Sequence, residues 1–524
     1  MSFVAASVSF AIVLIGFTAI LNRLVQEASR LKELPGPPSP SRIAGHALDL
    51  QLAPVGTRYP AWAKEYGRTY RLHGAFTERH LVLGDPKGIS HVLSTRASNY
   101  VRPNTDRIVL GLWFGQGLFT AEGDEHAKQR KILNPAFTYQ SIQDISHIFQ
   151  QLGDRLIQQW ETALADKDST TFDIAPALHA LTLDAISMSM FMHDTSTTSG
   201  SVPISDLLHN ITNAPRGNML TLFLGSIVSM FPHLLSLPSP MKKWATTLRG
   251  ELGKIAESVW SGTKNDIGLD AKLLKLLSHC ECESLRLPGS LTLTAAQQII
   301  GVLFAGSESS ANVISETLYE LGRHQHVQQK LRLELLEFEQ ASGHAASFDD
   351  LMNPATLPYI DAVIREALRL KAVLMDIARA VADDIIPLQF PVAGTGATSV
   401  RVEAGQSVMI PVRDGINSDE GIWGSDAREF RPERWLDNDI PEAVASIQAQ
   451  GHTLTFGHGP KVCLGRTFAI AEIKMVVAAV VRRFSVEDAG VALDFYHLGG
   501  NTVKPKIRGR EEEGVQLPLR VRSL

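Results

Sequence analysis

The sequence Phe456-Gly457-His458-Gly459-Pro460-Lys461-Val462-Cys463-Leu464-Gly465 places one cysteine in a loop that is crowded with glycine. The residues from Leu464 to Val480 are mostly apolar, which predicts that a buried helix follows the loop. A cysteine at a helix N-terminus lies at the positive end of the helix dipole, and this position favours the thiolate. Lys461 and Arg466 add positive charge nearby. The pattern therefore predicts a functional thiolate, with a buried structural cysteine as the alternative.

A thiolate held in this way can act as a nucleophile, a metal ligand or an axial haem ligand. The spacing Phe-x-x-Gly-x-Lys-x-Cys-x-Gly resembles the haem-binding loop of the cytochromes P450. The resemblance implies that Cys463 is the axial ligand of haem iron and that Phe456 belongs to the cofactor-binding loop. It also implies that Lys461 faces a haem propionate.

The composition is that of a large globular protein. The chain has 524 residues, of which 44% are hydrophobic and 20% are charged, and this is enough for a sizeable core. The net charge of -5 argues against a general nucleic-acid binder. The cysteines Cys280, Cys282 and Cys463 are too few for a disulfide scaffold and fit a reducing, cytosol-facing domain. Cys280-Glu281-Cys282 lacks zinc-site spacing, so we interpret it as a loop.

The N-terminus has no charged residue between Phe3 and Leu21. As a helix this stretch would span about 28 Å, close to the thickness of a bilayer core. A cleaved signal peptide is the alternative, but it would have a basic start and a small-x-small cleavage site. The cations Arg23, Arg30 and Lys32 follow the apolar run, which places the remainder of the chain in the cytosol. We predict that residues 1–22 form a single-pass membrane anchor.

Residues 23–45 are basic and rich in proline, including Leu34-Pro35-Gly36-Pro37-Pro38-Ser39-Pro40. Proline fixes φ and removes a backbone donor, so the segment is predicted to be a stiff, extended hinge. It resembles the hinge of microsomal P450s, which implies an endoplasmic reticulum membrane. Residues 46–524 would then form one catalytic domain.

Helical periodicity dominates residues 140–345. Short strands are predicted at Thr69–Leu72, Leu81–Leu83, Ile385–Leu388, Val400–Val402, Ser407–Val412 and Val515–Val521. The fold class is therefore mainly α with a small β portion, and the resemblance implies the cytochrome P450 fold.

Glu366-Ala367-Leu368-Arg369 lies inside the helical run Tyr359–Leu370, and positions i and i+3 share one helix face. An ordinary surface ion pair is the alternative. The segment Phe430-Arg431-Pro432-Glu433-Arg434-Trp435 resembles the P450 segment whose arginine joins such a pair. The resemblance implies that Glu366, Arg369 and Arg434 form a buried structural network that holds the core beneath the cysteine loop.

Ala305-Gly306-Ser307-Glu308-Ser309-Ser310 lies in a long apolar helix predicted from Gln297 to Leu321. The stretch resembles the P450 pattern that faces bound dioxygen. It implies that Glu308 and Ser309 are catalytic, organise water and deliver protons, and that Gly306 eases a local helix distortion. Ser309 stands where threonine is usual and lacks the methyl group that fixes the rotamer. A helix-surface or capping acid is the alternative for Glu308.

His126 and Arg130 share a helix face at i and i+4. The family has Trp-x-x-x-Arg here, with both side chains donating to a propionate, and histidine can also donate. A solvated charged helix is the alternative. By resemblance Arg379 is a further propionate partner on the strand after the Glu366 helix. Lys371-Ala372 follows where the family usually has His-Pro, so the path of that loop is predicted to differ.

The resemblance is greatest to fungal microsomal P450s and implies a haem-thiolate monooxygenase. It would use haem b, O2 and electrons from NADPH–cytochrome P450 reductase, with cytochrome b5 as a further donor, to oxidise a lipophilic molecule such as a terpenoid of secondary metabolism. A P450-fold isomerase or dehydratase that rearranges peroxides and a non-catalytic haem protein are the alternatives. The predicted substrate lining is 101–119, 207–231, 300–304, 373–377 and 499–503. A basic face for the redox partner comprises Lys128, Lys131, Lys461, Arg466, Arg482 and Arg483.

Overall fold

The computed structural model describes residues 30–75, 78–193, 293–373, 376–436, 440–498 and 502–524, together with isolated helical residues between 242 and 257. The predicted membrane anchor, the predicted lining at 207–231 and the Cys280–Cys282 segment lie outside the described residues. Parts of the other predicted lining segments, at 374–375 and 499–501, also lie outside them.

The described helices account for most of the regular structure. They are α1 (Ala47–Leu52), α2 (Arg58–Tyr66), α3 (Pro86–Ser90), α4 (Asn104–Phe114), α5 (Gly123–Leu133), α6 (Tyr139–Leu164), α7 (Ile174–Phe191), α8 (Leu293–Arg323), α9 (Gln325–Ser342), α10 (Phe348–Met352), α11 (Pro358–Leu370), α12 (Glu420–Trp423) and α13 (Arg466–Arg483).

The strands of the described residues form four small sheets. They are β1 (Thr69–His73), β2 (Arg79–Leu83), β3 (Tyr100–Val101), β4 (Thr170–Asp173), β5 (Asp376–Ala380), β6 (Asp384–Pro387), β7 (Ser399–Val402), β8 (Ser407–Ile410), β9 (Phe484–Asp488), β10 (Leu493–Leu498), β11 (Thr502–Ile507) and β12 (Pro518–Ser523). The largest sheet has the order β1-β2-β8-β5-β3, the next has the order β4-β12-β9, and β6-β7 and β10-β11 are two-stranded. The prediction of a mainly helical fold with a small β portion is confirmed.

The main core lies where α6, α7, α8 and α13 pack together. Helix α6 begins at the N-cap Thr138, whose side chain accepts a hydrogen bond from the Ser141 amide, and it buries one apolar face. From that face Phe149 meets Phe468 of α13 edge to face, with ring centroids 4.9 Å apart. Helix α13 follows the cysteine loop directly, so this core fixes the position of the loop.

Helix α7 is long and apolar enough to cross a bilayer, and among the described residues it is the one helix that meets this test. Most of α7 is buried, and it packs along α8. At Gly306 of α8 a Cβ atom would lie 2.6 Å from Ile186 Cγ1 of α7, so only glycine permits this close approach. The length and composition of α7 are therefore those of a helix in the protein core.

The described part of the hinge packs onto the catalytic body. Leu31 and Leu34 are buried in the core cluster that contains β2 and β8. The Arg71 amide donates to the Pro35 carbonyl at 2.9 Å, and Arg71 Nε donates to the Leu34 carbonyl at 2.9 Å. Residues Arg30–Glu33 form a short 3-10 helix, so the prediction of an extended hinge is wrong for these residues. The chain after this helix accepts the hydrogen bonds from β1, and residues 31–35 pack with the domain that follows.

A buried carboxyl group in the core provides a pH test of the fold. Glu472 of α13 is completely buried, and in the described part of the chain neither of its carboxyl oxygens has a hydrogen bond of good geometry. Burial raises the pKa of Glu472 to about 8, and the neighbouring Ser310 hydroxyl of α8 offsets only part of that rise. The carboxyl group is therefore neutral at neutral pH.

We expect the stability of the protein to fall as the pH rises from about 4.5 toward about 8, because the unfolded chain ionises Glu472 while the folded chain keeps it protonated. At about 1.4 kcal/mol per pKa unit the full effect is on the order of 3–5 kcal/mol. Glu472→Gln should match the wild type near the acid end of this window and exceed its melting temperature at the alkaline end. Thermal unfolding across the window measures this. The control is Glu337→Gln in α9, since Glu337 is exposed. Equal slopes of melting temperature against pH for the two variants would contradict the raised pKa of Glu472.

Candidate functional site

Hydrogen bonds within the cysteine loop hold its backbone. The loop contains the turn Gly459–Lys461 and leads into α13, which begins at Arg466. The Cys463 amide donates to the Phe456 carbonyl at 2.8 Å, and the Val462 amide donates to the Gly459 carbonyl at 3.1 Å. Gly459 has a φ of +71°, and a Cβ atom there would lie 2.0 Å from the Leu93 carbonyl oxygen. Both the left-handed backbone and the close contact exclude any other residue at this position.

The Cys463 side chain can be reached by solvent, although protein encloses it closely. The solvent contact leaves the sulfur accessible to a ligand. Burial raises the pKa of the thiol above its usual value, while the Gly465 amide and the cations Arg130 and Arg466 lower it only partly. The expectation that the loop alone favours a thiolate is therefore corrected. A bound metal ion would supply the missing stabilisation, because a coordinating thiol is deprotonated.

Basic side chains from α5 lie against the cysteine loop. Arg130 Nη1 donates to the Val462 carbonyl at 2.7 Å, one residue before the cysteine. His126 is buried on the same face of α5. Burial lowers the pKa of His126, and the positive charges of Lys461 and Arg130 lower it further, so the ring is neutral and keeps one N–H to donate. Lys461 pairs with Glu122 at the start of α5.

Arg379 lies on β5 and has a side chain that is 40% exposed. Its Nη2 atom lies 3.3 Å from Glu78 Oε1 and 3.5 Å from Ser407 Oγ, so both described partners are at the long end of the hydrogen-bonding range. Its Nε atom is buried and has no hydrogen-bond partner in the described part of the chain. A buried donor without a partner is unfavourable, so Arg379 retains the capacity to bind a further anionic or polar group.

The structure brings Glu366, Arg369 and Arg434 together in the protein interior. Arg369 binds Glu366 through two hydrogen bonds of 2.9 and 2.8 Å, and Arg434 Nε donates to Glu366 Oε1 at 2.9 Å. All three side chains are completely buried. Trp435 Nε1 and the Arg431 amide also donate to the Glu366 carboxylate. Five donors thus compensate for the burial of the charge.

This network continues to the cysteine loop through Asn417. Arg369 Nη1 donates to the Asn417 carbonyl at 2.7 Å, and Asn417 Nδ2 donates to Thr455 Oγ1 at 3.0 Å. The Leu454 amide donates to Asn417 Oδ1 at 3.0 Å. Thr455 immediately precedes Phe456, the first residue of the loop. The buried ion network and the loop are therefore connected by a short chain of hydrogen bonds, and sequence analysis gave Asn417 no role because no spacing marks it.

Glu308 and Ser309 of α8 project in different directions. Glu308 is buried against α7 and β11, and its carboxylate binds Lys504 and His179. The Ser309 hydroxyl donates to the Ala305 carbonyl of its own helix at 2.7 Å. Helix α8 is helical from Leu293 to Arg323, so the predicted distortion near Gly306 is not observed. Gly306 instead permits the close approach of α7.

Lys371 stands where the P450s that the sequence resembles usually have histidine, and its contacts explain why a lysine is stable at this position. Its Nζ atom lies 2.5 Å from Glu320 Oε1 and 3.7 Å from Glu316 Oε2, and both glutamates come from α8. Arg413 binds Glu316 through two hydrogen bonds of 2.8 and 2.7 Å. The end of α11 is thus tied to α8 by a buried cluster of two cations and two carboxylates, which sequence analysis did not predict.

These residues fit the group that the loop resemblance implies. Cys463 offers a sulfur ligand that solvent can reach, and Arg130, His126 and Lys461 place basic groups beside its loop. Arg379 adds a donor on β5 whose Nε atom has no partner among the described residues. A planar iron macrocycle with two propionates needs one axial ligand and several such donors. The Nε atom of Arg379, which is buried and has no hydrogen-bond partner among the described residues, supports this fit because it can still donate to an anionic group.

Comparison with known proteins agrees with the geometry. The family model described as Cytochrome P450 matches residues 35–506. Cytochrome P450 monooxygenase claU of Ampulloclitocybe clavipes is 33% identical, in an alignment that covers 96% of this chain and 95% of that protein. Cytochrome P450 monooxygenase claW of the same fungus is 32% identical, covering 98% and 97%. A ganoderic acid synthetase of Ganoderma lucidum is 28% identical, covering 88% of each chain.

The family match extends over nearly the whole chain, and the two relatives from Ampulloclitocybe clavipes are aligned along almost their full length. Proteins of this family use haem iron with O2 and electrons from a reductase. The chain belongs to the cytochrome P450 family, and its enzyme class is the cytochrome P450 monooxygenase.

Proposed function

We propose that this monooxygenase is anchored in the endoplasmic reticulum membrane by residues 1–22, faces the cytosol and oxidises a lipophilic small molecule. Its electrons would come from NADPH–cytochrome P450 reductase, with cytochrome b5 as a further donor. The observation that supports the proposal is the cysteine loop, whose sulfur is accessible to solvent and whose Val462 carbonyl accepts a hydrogen bond from Arg130.

Aromatic contacts between α4 and α8 support a lipophilic substrate. The ring centroids of Phe114 and Phe304 are 4.5 Å apart, and those of Phe114 and Phe119 are 6.0 Å apart. A Cβ atom at Gly301 would meet the Phe119 ring at 3.1 Å. These residues belong to the segments proposed to line the substrate site, and an apolar lining favours apolar ligands.

The name of one relative supports a terpenoid substrate in secondary metabolism. The relative from Ganoderma lucidum is named for ganoderic acid, a terpenoid, and it is similar to this chain over 88% of its length. The relatives from Ampulloclitocybe clavipes are fungal monooxygenases of about the same length as this chain. For this chain a terpenoid or similar intermediate is therefore the proposed substrate class.

Each side chain of the site would have its own role in holding the haem or in the reaction. Cys463 would ligate the iron, and His126, Arg130, Lys461 and Arg379 would hold the propionates, for which Lys461 and Arg379 exchange their contacts with Glu122 and Glu78. When bound, the haem supplies the oxidising chemistry. Ser309 donates to the Ala305 carbonyl and so keeps its oxygen free to accept a hydrogen bond, while Glu308 provides a fixed negative charge.

A basic surface around α5 and α13 is the proposed docking site for the reductase. Lys128, Lys131 and Arg483 are exposed, and Arg466 is partly exposed. Lys461 and Arg482 contribute less, because they pair with Glu122 and Glu339. An acidic partner surface would be attracted to the remaining cations, and the association rate should fall as salt increases.

The test is to express the full chain with the reductase in microsomes and supply a panel of terpenoid hydrocarbons and alcohols. The proposal expects oxygenated products that require both NADPH and the reductase. Products formed from terpenoid hydroperoxides alone would instead support the peroxide-rearranging alternative, which Ser309 motivates. A protein that binds haem but forms no product from the terpenoids or from their hydroperoxides would contradict both the monooxygenase and the peroxide-rearranging hypotheses.

A further inference from the structure

Lys504 is a buried cation in strand β11, in which all six residues are buried. Its Nζ atom lies 2.5 Å from Glu308 Oε1, and both side chains are 2% exposed. A lysine in this position is strongly unfavourable unless an opposite charge compensates for its burial. Glu308 supplies that charge, so Glu308 and Lys504 form one buried ion pair that links α8 to the β10–β11 hairpin.

His179 of α7 completes a triangle with this ion pair. Its Nε2 atom lies 2.9 Å from Lys504 Nζ, and its Nδ1 atom lies 3.3 Å from Glu308 Oε2. An ammonium group can only donate, so Nε2 accepts and the ring proton is assigned to Nδ1, facing Glu308. Asn312 Nδ2 and Thr502 Oγ1 each lie 3.4 Å from Glu308 Oε1. Donors from α7, α8 and β11 therefore all converge on one carboxylate.

We propose that Lys504 and His179 are positioning residues that fix the orientation and the charge of Glu308, and thereby set the pH range in which the site moves protons. The inference rests on the proposed function, since it assumes that Glu308 takes part in the reaction. The three residues are distant in sequence and come from three elements, so the fold alone brings them together.

The electrostatics give the direction of the effect. Burial by itself would raise the pKa of Glu308, but the charge of Lys504 and the contact with His179 hold the pKa below its usual value. Burial lowers the pKa of Lys504, and Glu308 offsets part of that change. Glu308 is therefore a carboxylate throughout the neutral range. Without the Lys504 charge, burial dominates and Glu308 would titrate at a higher pH.

The first experiment measures hydrogen peroxide released per NADPH consumed by the holoenzyme with the reductase, without added substrate, from about pH 6 to about pH 9. The wild type and Lys504→Arg should give flat profiles. Lys504→Met and, to a smaller extent, His179→Phe should show a single step in which the ratio changes at least about threefold. Lys506→Met is the matched control, because Lys506 is also buried in β11 but donates to the Glu511 carbonyl. A Lys504→Met profile that superimposes on the wild type would overturn the proposal.

The second experiment needs no turnover. Lys504→Met and Glu308→Gln should each lower the melting temperature, and the double variant should recover most of the loss because it leaves no unpaired buried charge. If the double variant is as unstable as the sum of the single variants, Lys504 acts through packing and the proposal fails. The reduced-CO difference spectrum distinguishes failure of the proposed function from failure of this inference. Absence of the thiolate band would contradict the proposed function. An intact band together with additive losses of melting temperature would contradict only the positioning role of Lys504 and His179.

Discussion

Replacing Glu366 with glutamine should remove a large part of the stability of the protein. The change keeps the shape of the side chain but removes the carboxylate that binds both Arg369 and Arg434. Among the described residues this leaves the buried Arg369 without a carboxylate partner and leaves Arg434 with Asp426 alone. Breaking a buried ion network in this way costs about 3–5 kcal/mol, a large fraction of the roughly 5–15 kcal/mol by which ordinary domains are stable. Urea unfolding of the purified protein, or the soluble fraction when the variant does not accumulate, measures the loss.

The matched control is Glu513→Gln, which breaks an ion pair of the same i, i+3 spacing on the surface. Arg510 Nη1 and Glu513 Oε2 are 3.5 Å apart, and their side chains are 52% and 42% exposed. Such a pair contributes about 0–1 kcal/mol. Equal losses for Glu366→Gln and Glu513→Gln would show that the buried network does not hold the fold.

Replacing Cys463 with serine should remove the thiolate band from the reduced-CO difference spectrum while leaving the fold intact. Serine has nearly the same size, and the loop backbone depends on the Cys463 amide and on Gly459 rather than on the sulfur. NADPH-dependent product formation should be lost with the band, since the thiolate favours O–O cleavage on haem iron. Melting temperatures measured without haem should agree for the two proteins.

Cys280→Ser is the control for this spectrum, because Cys280 lies far from the loop in sequence. It should retain the thiolate band at wild-type intensity. A thiolate band that persists in Cys463→Ser would show that another residue ligates the iron, and would overturn the assignment of the loop.

The sequence was most informative where function requires unusual residues at fixed spacings. The glycines around Cys463 and the spacing of Glu366 and Arg369 are local patterns, so they identified the loop and the helix that carries the ion network. Strand predictions also succeeded where apolar residues cluster, as in β8, which was predicted at Ser407–Val412 and occurs at Ser407–Ile410. In these cases local and global preferences agree.

Contacts between distant segments could not be predicted in the same way. Strand β11 has the sequence TVKPKI, whose two lysines suggest an exposed loop and whose proline disfavours a strand. It forms nevertheless because Glu308 compensates Lys504 and the Glu511 carbonyl accepts from Lys506. Lys371 is a similar case, since its partners Glu316 and Glu320 lie about fifty residues away and only the fold brings them together. The pairing of Glu308 with Lys504 and His179 likewise became visible only in the structure.

Asn417 also bears on the chemical lifetime of the protein. It is followed by Ser418, and an asparagine before a small residue can deamidate when the next backbone nitrogen attacks its side-chain amide. Here the Ser418 amide donates to the Gly415 carbonyl at 2.9 Å, and both ends of the Asn417 side chain are held by hydrogen bonds. The native fold therefore protects the amide from ageing. Partial opening of the network would expose it, and conversion to aspartate would place a buried negative charge against the Arg369 carbonyl and make the loss irreversible.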